Sequence, residues 1–387
     1  MTGRSPLRSP RRWRAAALVP LALALAACAD DAPLDSLEPE GPQAQMIDNL
    51  ARPVFLIAAI VFVLVQGGIL LLAWRFHKRK DDDDSLPAQL HGNFKLEIGW
   101  TILPAILLAG VGAASVLTLL DLDEEAPNSM QVTVVGQQWW WEYQYDVDGD
   151  GEADIFTAND LVIPAGTPVA LTIQSRDVIH SFWIPALNGK RDAVPGRESP
   201  LQMEADEPGV YRGTCTEFCG LSHAYMRMRV VALSESDYAA WQDNQLEGAQ
   251  VPSETKAEEG MELFRTTCSQ CHLASGPGGN EEFREENDIE GAALVAGAAP
   301  NLTHFASRGT FAGAIFDLWV DVDESGEIEA DEVGGVGGVF NVADLEKWLR
   351  DPPAEKPMAA GQSRGMPDLD LTEEQIDALI AYLRTLE

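Results

Sequence analysis

The sequence predicts a multidomain chain with three architectures in series. These are a two-helix transmembrane hairpin, an all-β domain of sandwich or barrel type, and an all-α domain. Three observations predict this. Two apolar runs, Pro53 to Trp74 and Ile98 to Leu120, are each long enough to cross a bilayer. Between Gln131 and about Leu233, short alternating runs such as Gln131-Val-Thr-Val-Val are separated by Pro, Gly and Asp turns. From Lys256 onward the periodicity is helical.

The chain begins with a targeting pattern over residues 1–27. Arg4, Arg8, Arg11, Arg12 and Arg14 form a basic region, and Ala15 to Ala27 is apolar but too short to span. Leu25-Ala26-Ala27-Cys28 resembles a bacterial lipoprotein cleavage site, which makes Cys28 a lipidated first residue. Ordinary signal cleavage or an uncleaved anchor is the alternative. The transmembrane hairpin takes residues 46–120, with spans at about 53–74 and 98–120. Arg75, His77, Lys78, Arg79 and Lys80 follow the first span and place that end in the cytoplasm. Everything after Asp121 then lies on the outer, periplasmic face. With 61 acidic against 27 basic residues the net charge is −34, which argues against a nucleic-acid partner. The acidic surface reads either as simply solvated or as suited to a basic docking protein.

The β region carries a concentrated ligand set. Cys215-Thr-Glu-Phe-Cys219-Gly-Leu-Ser-His223-Ala-Tyr-Met226 places two thiols, one imidazole and one thioether within twelve residues. Such soft donors favour copper over magnesium or calcium. A dinuclear copper centre needs two bridging thiolates, here Cys215 and Cys219, with His223 and Met226 as terminal ligands. His180, in Val178-Ile-His-Ser-Phe-Trp, supplies a second imidazole from a loop. A Cys215–Cys219 disulfide and a zinc site are the competing readings.

Residues 234–255 read as a short helix and a polar linker, and 256–387 as the helical domain. Cys268-Ser-Gln-Cys271-His272 is the c-type heme attachment pattern, with thioethers to both cysteines and His272 as an iron ligand. Met366, in Gly365-Met-Pro before the final helix, is the expected ligand on the opposite side of the iron, with Met358 as its competitor. His304 is a third option. A later acidic segment has EF-hand spacing: Asp321, Asp323, Ser325, Glu327 and Glu332 sit around Gly326 and Ile328. It reads either as one bound calcium or as an acidic loop in an acidic chain. Asp146-Val-Asp-Gly-Asp-Gly-Glu-Ala-Asp154 lacks the final Glu and reads as a hairpin turn.

Over about residues 46–233 the Cys-x-Glu-x-Cys-x-x-x-His-x-x-Met pattern, with its upstream His, resembles subunit II of the cytochrome c oxidases. The resemblance implies a cupredoxin-like β-sandwich over 121–233. It implies that His180, Cys215, Glu217, Cys219, His223 and Met226 bind the CuA pair, Glu217 through its carbonyl. It also implies that the Glu217 side chain reaches a magnesium ion shared with subunit I. Trp139, in Gly136-Gln-Gln-Trp-Trp-Trp, matches the family's electron-accepting tryptophan. Glu97 matches a glutamate at the mouth of a proton channel. Asp192-Ala-Val-Pro-Gly-Arg197 resembles a loop that packs on subunit I. Met-Pro before the last helix resembles class I cytochromes c, so the whole resembles the caa-type oxidases, in which subunit II carries a cytochrome c. The implied function is electron passage from heme c through CuA to subunit I of a bacterial proton-pumping oxidase, where oxygen becomes water. Implied partners are subunits I and III, membrane lipid, and an upstream donor such as a cytochrome c or quinol-cytochrome c reductase. Quinol oxidase relatives lack the copper ligands, which disfavours a quinol donor. A membrane-tethered electron shuttle or copper-delivery protein outside any oxidase is the alternative function.

Overall fold

The computed structural model describes residues 33–77, 89, 91–287, 299–320, 338–358 and 364–387. The leader over 1–27 with Cys28, the basic residues 78–80, and the calcium candidates Asp321, Asp323, Ser325, Glu327 and Glu332 lie outside the described residues.

Two long helices come first, α1 (Pro42–Arg75) and α2 (Phe94–Asp123). Their best 18-residue windows have mean hydropathies of 2.8 and 2.2, and none of either window is buried by protein. Phe55, Phe62, Leu64 and Leu70 all project outward. A 34-residue helix is about 51 Å long, enough for a hydrocarbon core of about 30 Å. The pair fits a two-span membrane protein. α1 starts eleven residues before the apolar run, because its first turns pack on the β domain rather than on lipid. Ala44 and Asp48 are buried there, and the Ala44 N–H donates to the Leu187 carbonyl at 3.1 Å. Pro42 opens the helix where no N–H partner is needed.

The β domain holds a five-stranded sheet of order β3-β2-β1-β5-β8 and a three-stranded sheet of order β4-β10-β9. The strands of the first are β1 (Met130–Gln137), β2 (Trp140–Tyr145), β3 (Ile155–Ala158), β5 (Val169–Ser175) and β8 (Ser199–Met203). Those of the second are β4 (Asp160–Pro164), β9 (Gly209–Thr214) and β10 (Arg227–Leu233). A short pair, β6 (His180–Phe182) with β7 (Arg191–Ala193), completes the domain. β1 lies parallel to β5 and antiparallel to β2. Val132, Val134, Trp141, Tyr143, Leu161, Leu171, Ile173 and Phe182 fill the space between the sheets. Burying such side chains is worth about 1.5–3 kcal/mol each. Asp146 to Asp154 is the β2–β3 hairpin turn. Its carboxylates cap loop amides, with Asp146 accepting from the Gly149 N–H at 2.7 Å and Asp154 from the Val147 N–H at 2.8 Å.

After α3 (Glu235–Gln245) the chain enters the third domain, built on α4 (Thr255–Thr267), α5 (Glu281–Glu286), α6 (Val342–Arg350), α7 (Pro352–Glu355) and α8 (Glu373–Leu383). α8 begins with a capping box between Thr372 and Gln375. The domain is not wholly helical. Two-residue strand pairs, β11 (Thr310–Phe311) with β12 (Phe316–Asp317) and β13 (Trp319–Val320) with β14 (Val339–Phe340), join it. Aromatic pairs hold these short ladders: Phe311 stacks on Phe316 at 5.2 Å, and Trp319 meets Phe340 edge-on at 5.1 Å.

α4 and α8 cross at Gly260, where an added Cβ would stand 2.0 Å from the Ala378 carbonyl oxygen. Gly260→Ala therefore forces the crossing apart. We expect it to cost the third domain about 1–3 kcal/mol, with the exposed Glu258→Ala near neutral. Domain-resolved thermal melting checks this; equal midpoints for the two variants would contradict the crossing.

Glu142 is buried in the β domain beside Gln137, Gln144 and Arg176. Burial, only partly offset by Arg176, pushes its carboxyl up to about 7. A raised carboxyl favours the protonated folded state. Its contribution is therefore full below the ordinary 4.5 and is lost as pH rises towards 7. Glu142→Gln should flatten the stability profile across that window and raise the melting point at pH 8 relative to the unsubstituted chain. Parallel profiles would rule this out.

Candidate metal centre and heme site

The ligand-rich segment is the loop of the β9–β10 hairpin. Thr214 and Arg227 are the last paired residues, and the Cys215 N–H closes the loop on the Met226 carbonyl at 3.0 Å. Within it the Cys215 and Cys219 sulfurs are 3.9 Å apart and both thiols are free. Cys219 Sγ lies 3.5 Å from His223 Nδ1 and 3.7 Å from Met226 Sδ. Cys215 Sγ lies 3.3 Å from the Glu217 carbonyl oxygen, while the Glu217 side chain is exposed. A disulfide would need the sulfurs at about 2.05 Å.

His180 arrives from the short strand β6 rather than from a loop. The Thr216 N–H donates to the Ser181 carbonyl at 3.0 Å and stitches the loop to that strand. One ring nitrogen of His180 and both sulfurs then lie within 4.8 Å of one another. The ring is fully buried. Its Nε2 meets Asp177 Oδ1 at 2.8 Å, and its Nδ1 has no hydrogen-bond partner among the described residues. Asp177 is itself held by the Gln138 N–H at 2.8 Å and the Val178 N–H at 2.7 Å. Burial opposes ionisation of Asp177, yet these bonds, led by His180, hold its carboxyl below the ordinary range.

The thiols divide one proton between them. The hydrogen bond between the two sulfurs draws the Cys215 thiol below its ordinary range despite burial. The same bond, with burial, pushes the Cys219 thiol up. Two thiolates this close and this buried repel strongly without a cation. Metal offsets that repulsion, and the donors comprise two thiolates, two imidazoles, a thioether and a carbonyl. This set fits a copper pair, because thioether and thiolate select soft ions.

Trp139 is only 2% exposed, and its indole N–H donates to the Cys219 carbonyl at 3.0 Å, beside Gln138 Nε2 at 2.6 Å. Glu97 sits in the first turn of α2, where its carboxylate accepts from the Asn93 N–H at 3.1 Å and caps the helix start. In the Asp192–Arg197 loop, Asp192 accepts from the Ser181 hydroxyl at 2.8 Å.

In the third domain, α4 runs into a short 3-10 turn at Cys268–Gln270, followed by Cys271 and His272. Cys268 and Cys271 are not joined to each other by a disulfide. His272 Nδ1 is 2.8 Å from the Pro300 carbonyl, so Nδ1 carries the hydrogen and Nε2 keeps its lone pair. That arrangement fits iron ligation. Met366 packs with Cys268 and Leu302 on this domain's core, whereas Met358 packs on the core of the β domain. His304 Nδ1 is tied to the Glu387 carbonyl at 2.8 Å, a structural bond to the end of the chain. Asp177, Gln138 and Pro300 escape sequence reasoning. Only Asp177, three residues before His180, leaves a local signal.

Residues 38–118 match the cytochrome C oxidase subunit II transmembrane domain, 150–233 its periplasmic domain, and 257–387 cytochrome c. Cytochrome c oxidase subunit 2 of Alkalihalophilus pseudofirmus is 34% identical, covering 95% of this chain and 95% of that protein. Cytochrome c oxidase subunit 2 of Bacillus sp. (strain PS3) is 32% identical, covering 97% and 98%. The chain belongs to the cytochrome c oxidase subunit II family. It is the form of subunit II that carries a C-terminal cytochrome c domain, and as such it is a subunit of a heme-copper oxidoreductase that associates with subunit I. Its β domain is cupredoxin-like. The family implies CuA copper and the cytochrome c domain implies heme. A solved periplasmic domain of subunit II of cytochrome oxidase from Bradyrhizobium japonicum is 27% identical, covers 31% of this chain and 95% of that chain, and has a TM-score of 0.29.

Asp177 fixes which ring nitrogen of His180 is left for metal. Asp177→Asn should therefore weaken copper retention by about 10–100-fold. Copper per chain after dialysis against a chelator series measures it, and unchanged retention would remove Asp177 from the site.

Proposed function

We propose that His180, Cys215, Glu217, Cys219, His223 and Met226 hold the copper pair, Glu217 through its carbonyl. Cys268, Cys271, His272 and Met366 hold heme c. The observation that carries the copper assignment is the closed β9–β10 loop stitched to β6, which gathers five side-chain donors from two distant segments. When bound, a copper pair would supply one-electron exchange with little change of geometry. The chain's own residues do the rest. Asp177 orients His180, the buried sandwich excludes water, and the Trp139 indole bonds to the Cys219 backbone. Bound heme c and copper would supply one-electron carriers in the order heme c domain, Trp139 region, copper, with subunit I as the acceptor.

Several finer assignments rest on the sequence. By resemblance the exposed Glu217 carboxylate is the group for a magnesium shared with subunit I, Glu97 for the proton-channel mouth and Cys28 for a lipid anchor; by donor spacing the 321–332 segment is the candidate for calcium. In this reading residues 121–233 and 256–387 stand on the periplasmic face of the plasma membrane, beside subunits I and III. A cytochrome c or quinol-cytochrome c reductase delivers electrons to the heme.

Purification of the oxidase from membranes with metal and heme analysis tests the reading. Two coppers and one covalent heme on this chain are expected. Met366→Ala should abolish the methionine–iron absorption band while Met358→Ala keeps it. Zinc, or a Cys215–Cys219 disulfide without copper, would defeat the copper assignment; loss of the band in Met358→Ala alone would transfer the iron ligand to that residue.

A further inference from the structure

The heme domain does not merely hang from its linker; buried charged groups cross between it and the copper domain. Lys356, directly after α7, is 9% exposed. Its ammonium donates to the Ala312 carbonyl in its own domain at 2.8 Å and to the Trp139 carbonyl of the copper domain at 2.5 Å. A buried ammonium is costly unless its N–H groups are met, so a loosely tethered domain is a poor setting for it.

A second contact mirrors the first. Asp160, at the start of β4, is buried and takes a bidentate pair from Arg229 on β10 at 2.9 and 3.1 Å. Its remaining acceptor capacity goes to the heme domain. The Gly309 N–H at 2.9 Å, the Thr310 N–H at 3.0 Å and the Thr310 hydroxyl at 2.8 Å all donate to this one carboxylate. Between the two contacts the Arg227 N–H donates to the Gly313 carbonyl at 3.0 Å. Gly313 has φ +82, and a Cβ there would stand 2.9 Å from the carbonyl oxygens of both Trp139 and Tyr225. Backbone from the heme domain therefore lies directly on the Trp139 face. The Ser222 hydroxyl donates to the Pro357 carbonyl on the same side. The linker is strapped down too, with Gln245 donating to the Ser307 hydroxyl at 3.0 Å and the Ala249 N–H to the Ser275 carbonyl at 2.8 Å.

We infer that Lys356 and Asp160 are positioning residues that dock the heme domain permanently over Trp139, making that domain the obligate port to the copper and closing this face to any soluble electron-donor protein. The inference rests on the relay proposed above.

Lys356→Met and Thr310→Val, in the full-length chain within its purified oxidase, test it. Both keep approximate side-chain volume, and Thr310→Val leaves every charged group in place. The first readout is amide hydrogen exchange, which needs no turnover. Gly309, Thr310 and Arg227 amides should exchange faster in the variants, while core amides such as Val134 should not. The second is the order of reduction when a reduced soluble cytochrome c is added. In the unsubstituted chain the heme c band changes before the copper band. In the variants the copper band should change without waiting for the heme, and internal heme-to-copper transfer should slow by about tenfold or more, as misplacement of a reacting pair does. Unchanged exchange in both variants would overturn the clamp. Faster exchange with the original order of reduction would overturn the port. An unsubstituted chain lacking copper would sink the relay instead, with the exchange readout still deciding the clamp.

Discussion

A single backbone hydrogen bond, from the Cys215 N–H to the Met226 carbonyl, sets the geometry on which the copper assignment depends. It ends the β9–β10 ladder and forces the next ten residues into a closed loop. Four side-chain donors are then confined within a few ångströms before any metal arrives. Because the strands enforce this closure, the packing of Leu161, Ile163, Val230 and Ala232 between the sheets contributes to the site's precision. The Thr216–Ser181 bond extends the same logic to His180. A site held by strand ends keeps its shape better than one built on free loops, which suits a centre whose use requires small rearrangement.

The electrostatics of that closure pull in one direction. Bringing two thiols to 3.9 Å inside a sandwich leaves them sharing a proton, Cys215 lowered and Cys219 raised. Asp177 adds a further negative charge behind His180. The pocket is thus short of positive charge, which metal binding would supply while releasing the remaining proton. The nearby Lys356 amine, pushed down to about 7 by burial, donates to carbonyl groups at the domain junction.

Much of this was legible in the sequence, and the unread part has a common cause. Residue types that do chemistry at fixed local spacing, such as Cys215 to Met226 and Cys268 to His272, announce themselves because the spacing is set within one loop or one turn. Apolar runs announce membrane spans for the same reason. What could not be read were partners joined only by the fold. Pro300 lies 28 residues from His272, and Asp160 lies 150 from Thr310. Lys356 looks like any lysine after a Pro-Pro-Ala-Glu turn. The start of α1 at Pro42 was hidden because its first turns are polar and pack on protein, so hydropathy marks only the lipid-facing part. The strand pairs of the heme domain are two residues long, too short for alternation to register.

Docking of the heme domain also bears on kinetics. A diffusing donor must find the copper domain, orient and leave, and each encounter costs rotational and translational freedom. A donor held by Asp160 and Lys356 meets that cost once, during folding, so transfer across the junction becomes unimolecular. Any encounter with an external partner is then left to the outer surface, where long-range charge acts. With a net charge of −34 the chain attracts basic partners over long range and repels acidic ones, an effect that salt weakens. Placement of the inner pair is therefore a property of the fold: the buried contacts over Trp139 hold it at one fixed geometry.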